Sequence, residues 1–186
     1  MNLKKLTNIS VMTALAVVFM IFLKFPIPFL PPFLIYEPGD IPILIISFLY
    51  GPIPALISTF ISSVLMELTT GLGGPWGILM HFIATGTFVT TAGLIYQKMH
   101  SRKGAIIGLI SGTIAMTVIM IPANLIVTPI YLGASREQVI KLLVPGIIPF
   151  NLIKAALNSI FTVIVYKYLA NFLRSKGLIK ANNLAK

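Results

Sequence analysis

Long apolar runs, each close to the length of a bilayer crossing, alternate along the chain with short segments where prolines, glycines or basic residues collect. The first run, Leu6 to Phe25, follows Lys4 and Lys5; at about 1.5 Å per residue it crosses a hydrocarbon core of about 30 Å. It is too long for the core of a secretory signal and no Ala-x-Ala-like site follows, so it reads as the first span. Phe25 to Pro38 stays apolar yet holds five prolines, a combination that suits neither helix nor water and predicts a lid-like or re-entrant loop at the outer face. A short helix then covers Ile41 to Tyr50, with Asp40 placed to cap it; at roughly 15 Å it is too short to span. Gly51-Pro52 turns the chain into a third helix ending near Thr70, with Ser58, Thr59, Ser62 and Ser63 as a small polar face for close packing. Glycines, Pro75 and Trp76 punctuate the stretch to Gly77, and the fourth helix runs from about Trp76 to Tyr96. The fifth runs from Gly104 to about Val127, Thr128 to Pro145 reads as an amphipathic external segment, and Ile147 to Leu169 is the last span.

Composition fixes the class. With 57% hydrophobic and 10% charged residues and a mean hydropathy of +0.98, the chain reads as an all-α polytopic membrane protein with six transmembrane helices. The net charge of +10 suggests nucleic acid only until its distribution is inspected. Ten of the fourteen Lys and Arg fall at Lys4 and Lys5, in the Lys98, Arg102, Lys103 loop, and in the C-terminal segment from Lys167 to Lys186. That pattern is the positive-inside rule, with both termini in the cytoplasm of a multi-pass plasma-membrane protein. Glu37, Asp40, Glu67 and Glu137 all fall on or near the external side. Residues 1–176 read as one transmembrane domain and 177–186 as a basic cytoplasmic tail.

The last span carries the chemistry. Asn151, Lys154 and Asn158, spaced i, i+3, i+7, make one polar stripe on a helix. Such groups are costly in hydrocarbon and mark either a ligand site or polar glue between helices, with Lys154 snorkelling outward in the second case. An ammonium beside an amide suits the edge of a flat heteroaromatic ring. Trp76 reads as an interfacial anchor or as a ring wall, His81 as a hydrogen-bonded core group, and Asn124 as a ligand contact or a local answer to Pro122. Ser10, Thr13 and Ala14 on the first helix offer a small face to another helix or to internal packing. No Gly-x-Ser-x-Gly, His-Glu-x-x-His, P-loop or cysteine is present, so the chain reads as neither an enzyme nor a self-energised pump. A stand-alone secondary carrier working through Glu67 or Asp40 is the competing reading.

Phe33-Leu-Ile-Tyr36-Glu-Pro-Gly-Asp40-Ile-Pro42, Gly51-Pro52, Asn124 with Thr128-Pro-Ile-Tyr131, and Asn151-Leu-Ile-Lys154 form an ordered set. This set, over about residues 5 to 172, resembles the riboflavin-binding S components of energy-coupling factor (ECF) transporters, the RibU family. The resemblance implies six helices, a vitamin site at the extracellular side, a lid after the first helix, and dependence on a transmembrane coupling subunit and two ATPases. It further implies that Asn124, Asn151 and Lys154 contact the flavin, which is cargo and not a cofactor. Given that ligand, Phe29, Phe33, Tyr36 and Trp76 are candidate ring walls, and Glu37 and Asp40 candidate acceptors for ribityl hydroxyls; Glu67 joins them as a candidate substrate-binding residue. Folate or biotin is the runner-up ligand. Where the family has Ala-x-x-x-Ala for docking, this chain has Ser10-Val-Met-Thr-Ala14.

Overall fold

The structure, a computed structural model, describes residues 3–71 and 73–175; the expected basic tail at 177–186 lies outside them. Helix α1 (Leu3–Phe22) leads into strands β1 (Phe25–Pro26) and β2 (Ile35–Tyr36), followed by α2 (Asp40–Tyr50), α3 (Pro52–Thr70), α4 (Gly74–Met99) and α5 (Arg102–Leu132). Helix α6 (Arg136–Leu142) passes through a π-helical turn (Leu143–Ile147) into α7 (Ile148–Ser175). Among the described residues five helices are long and apolar enough to cross a membrane: α1, α3, α4, α5 and the continuous run Arg136–Tyr166. The sixth, α2, has 11 residues and at about 1.5 Å per residue covers half a crossing. Asp40 to Leu49 are all buried. A helix apolar all round belongs inside a bundle, and α2 packs against α1, α3, α4 and α7.

Three expectations change. Asp40 does not cap α2: Gly39 holds the N-cap position without a side-chain cap hydrogen bond, and Asp40 is the first helical residue, its carboxylate turned into the bundle. The lid is not purely irregular, because Phe25 pairs with Tyr36 and Pro26 with Ile35 in a two-residue antiparallel ladder that closes the loop on itself. The fifth helix does not stop near Val127 but continues through Pro129 to Gly133, where φ turns to +63°. Between the two prolines Asn124 Nδ2 donates to the Met120 carbonyl at 2.7 Å and Thr128 Oγ1 donates to Asn124 Oδ1 at 2.9 Å. The segment from Thr128 to Pro145 thus comprises the end of α5, then α6, which opens with a Ser135–Gln138 capping box, and the start of the π-helical turn.

Helices α4 and α5 approach through glycines. A Cβ on Gly108 would lie 2.7 Å from the Ala92 carbonyl oxygen, and one on Gly112 would lie 2.9 Å from that of Phe88. These contacts are backbone to backbone, so no rotamer change relieves them. Gly108→Ala is expected to destabilise the protein by about 1–3 kcal/mol, the usual result of overpacking. A melting curve in detergent that matches the unsubstituted protein would contradict this.

On α1 the packing separates the small residues. Thr13 is buried, its hydroxyl within 2.8 Å of both the Ile9 carbonyl and Ser58 Oγ of α3. Ser10 and Ala14 are exposed. Thr13 is thus internal packing, a correction to its place in a docking face.

Candidate ligand cavity

A cavity of about 400 Å³ lies between the lid and helices α3, α4, α5 and α7, within the size range of small-molecule sites. Its walls are mostly apolar. Phe33 comes from the lid, Trp76 from the first turn of α4 and Phe150 from α7. Five methionines, Met20, Met66, Met80, Met116 and Met120, complete the apolar wall from four different helices. Thioethers and aromatic faces together make a soft, polarizable slot that suits a flat ring.

Polar groups interrupt these walls. Asn124 and Thr128 reach it from α5, Asn151 and Lys154 from α7, Glu37 from the segment between β2 and α2, and Glu67 from α3. Asn151 Nδ2 donates to the Ile147 carbonyl at 2.8 Å, as Asn124 does one turn back on its own helix. Each amide nitrogen carries two N–H groups, so one is committed to orienting the side chain.

Behind the cavity lies a buried polar network that the spacing on α7 hinted at but did not define. The Lys154 ammonium donates to Glu37 Oε1 in a close ion pair and stands 3.9 Å from Asp40 Oδ2. Asp40 accepts from Thr85 Oγ1 at 2.7 Å and from Asn158 Nδ2 at 2.9 Å, while Asn158 Oδ1 accepts from the Tyr36 hydroxyl at 2.9 Å. Burial, then the negative Asp40 beside it, push the Tyr36 phenol up to about 12, so it remains a donor. His81 joins the same cluster: Nδ1 sits 2.7 Å from Ser63 Oγ, and Nε2 lies 3.4 Å from Glu37 Oε1 and 3.6 Å from Asp40 Oδ1. Glu37, Asp40 and His81 each offer a ligand-type atom within 4.8 Å of the others, as a metal site would require. Lys154 already supplies a cation to those carboxylates, so the set is chemically complete as an ion-pair cluster.

The sequence-derived residues thus divide. Phe33, Glu37, Glu67, Trp76, Asn124, Asn151 and Lys154 are brought to one cavity. Tyr36 and Asp40 are not on its wall; both are consumed in the network, which leaves Asp40, fully buried and doubly hydrogen-bonded, unsuited to greeting a hydroxyl group at a mouth. Phe29 is fully exposed in the lid with φ of +69° and is not on the cavity wall. Lys154 does not snorkel: it is 5% exposed and paired. Sequence reasoning missed the methionines and His81 as wall residues. Only Met116 and Met120, at i and i+4, left a local trace.

A profile described as "ECF transporter, substrate-specific component" matches residues 4–166. The chain is 38% identical to "Riboflavin transporter RibU" of Staphylococcus aureus, over 92% of this chain and 93% of the relative. It is 33% identical to "Riboflavin transporter FmnP" of Bacillus subtilis, over 90% and 93% respectively. A solved structure described as the S component of a bacterial ECF transporter superposes with a TM-score of 0.81 at 39% identity, covering 91% of this chain and 97% of that one.

Proposed function

The chain belongs to the substrate-specific components of ECF transporters, and from that premise we propose that it is a riboflavin-binding subunit whose site is the cavity under the lid. It binds the vitamin in the membrane and works with a transmembrane coupling subunit and ATPase modules, having no nucleotide-binding motif of its own. The observation that carries the reading is the pairing of full-length relatives named as riboflavin transporters with a cavity whose chemistry fits a flavin. A flavin's pyrimidine edge presents an N–H between two carbonyls. Asn124 and Asn151 carry both donors and an acceptor, and the Lys154 ammonium can share a proton with a carbonyl oxygen while keeping its carboxylate partner. Phe33, Trp76, Phe150 and the methionines wall the ring faces. The ribityl hydroxyls have Glu37 and Thr128 as partners on the wall.

Titration of the purified protein with riboflavin tests the site directly. Asn151→Ala is expected to weaken binding roughly 5- to 150-fold, the cost of losing one buried partner or about 1–3 kcal/mol. Unchanged affinity there would move the flavin edge elsewhere.

The lid, Asn124 and Asn151 lie at one end of the bundle with Glu37 and Glu67, and the turn holding Lys98, Arg102 and Lys103 connects α4 to α5. The basic turn is cytoplasmic by the positive-inside rule, so the cavity opens outward. In intact cells, Ser101→Cys is expected to resist an impermeant thiol reagent and Ser135→Cys to react. The reverse labelling order would overturn this orientation.

A further inference from the structure

Glu67 stands apart from the ion-pair cluster and is engaged by backbone. Its carboxylate Oε2 accepts from the N–H groups of Gly73 at 2.8 Å and Gly74 at 2.9 Å, and its own carbonyl accepts from Gly71 N–H at 2.8 Å. One residue therefore holds the α3–α4 turn from both its side chain and its main chain, with the negative charge placed at the start of α4, where it is favoured. Gly71 and Gly74 have φ of +63° and +55°, and a Cβ on either would touch nothing within 4 Å. Gly77, by contrast, is where the carboxylate lies: a Cβ there would come within 2.2 Å of Glu67 Oε1. Between Gly74 and Gly77 stands Trp76, the only tryptophan, half-exposed and on the cavity wall.

We propose that Glu67 is a positioning residue: by clamping this turn it fixes Trp76 as a wall of the cavity and slows escape of bound ligand. The claim about ligand rests on the riboflavin reading; the claim about the turn does not. It assigns Glu67, which the sequence offers as a substrate contact, to a role exerted through Trp76.

Because Trp76 is the only tryptophan, its fluorescence reports this turn alone. Acrylamide quenching of the ligand-free protein in detergent is compared for the unsubstituted chain, Glu67→Ala, Glu67→Gln and Gly77→Ala, followed by the riboflavin dissociation rate for each. Glu67→Ala is expected to make Trp76 more accessible and to raise the dissociation rate roughly tenfold, as loss of charge-assisted hydrogen bonds implies. Glu67→Gln, whose amide oxygen still accepts from both N–H groups, is expected to stay close to the unsubstituted protein in both measurements. Gly77→Ala keeps the carboxylate but displaces it, and is expected to behave as Glu67→Ala; it decides the matter if Glu67→Ala is not recovered folded. Weakened riboflavin binding with Trp76 accessibility unchanged would make Glu67 a direct ligand contact and overturn the proposal. So would a more accessible Trp76 with an unchanged dissociation rate. Failure of the unsubstituted protein to bind riboflavin would overturn the functional reading and the residence claim with it, while the ligand-free quenching would still decide whether Glu67 holds the turn.

Discussion

Lys154→Met is expected to yield little folded protein, because it strips the only lysine from a buried cluster that holds both Glu37 and Asp40. Removing one partner of a buried ion pair typically costs about 3–5 kcal/mol, since the remaining charge has neither water nor a counter-charge. That is a large part of the whole stability of a typical domain, about 5–15 kcal/mol. From the sequence alone the same substitution looks milder: a methionine keeps the apolar stem, so the variant would fold and lose only ligand affinity. The ion pair changes this expectation. The measurement is the monodisperse yield and melting temperature in detergent, with the Lys154→Met/Glu37→Gln double variant alongside. Neutralising the carboxylate that receives the ammonium is expected to restore much of the fold, while Asp40 keeps its hydrogen bonds from Thr85 and Asn158. Because Glu37 also lines the ligand wall, riboflavin binding by the double variant is compared with that of Glu37→Gln alone, and the difference reports what the ammonium contributes to the ligand. A Lys154→Met protein as stable as the unsubstituted one would show that the pair adds nothing net.

Replacing Ala14 by tryptophan is expected to abolish riboflavin uptake while leaving riboflavin binding intact. Ser10 and Ala14 sit on the exposed side of α1, whereas Met12, Thr13 and Ala16 face the bundle. Small side chains one turn apart on an exposed helical face permit another helix to approach closely, and an indole removes that approach. Because neither residue touches the cavity, the dissociation constant in detergent is expected to change by less than about twofold; exposed sites away from special features usually shift free energies by no more than about 0.5 kcal/mol. Uptake by cells containing the coupling subunit and ATPases is expected to fall to background. Equal loss of binding and uptake would mean that the substitution disturbs the bundle itself. The exposed Ser10 and Ala14 remain candidates for docking, and the buried Thr13 does not.

Chain-level reading reached much of this architecture because in a membrane protein the length of an apolar run is itself a structural measurement. The spans at α1, α3 and α4 were legible within a few residues, and α2 was recognisable as too short to cross. The fifth helix is longer than the apolar pattern suggests, running on through Pro129 to Leu132, and Asn124, legible either as a ligand contact or as a local answer to Pro122, bonds back to its own helix while lining the cavity. Ser135-Arg-Glu-Gln138 carried an unread helix-start signal, and Gly104, Gly108 and Gly112 at four-residue spacing carried an unread signal of close helix contact.

The sequence by itself determined that this is a helical membrane protein with a polar stripe on its last span, since hydropathy and the i, i+3, i+7 spacing are local properties that no neighbour can alter. It also offered, in part through family resemblance, seven of the residues that line one cavity. Only the tertiary structure decided their division of labour. Glu37 and Lys154 are 117 positions apart, and Asp40 and Asn158 118 apart, so no window along the chain contains either pair. Once packed, a carboxylate that looks like a solvent-facing cap becomes a buried acceptor, and an ammonium that looks free becomes the cation that balances it. The methionine wall has the same origin: one apolar face from each of several helices is unremarkable alone, and becomes a slot only where those faces meet without filling the space between them.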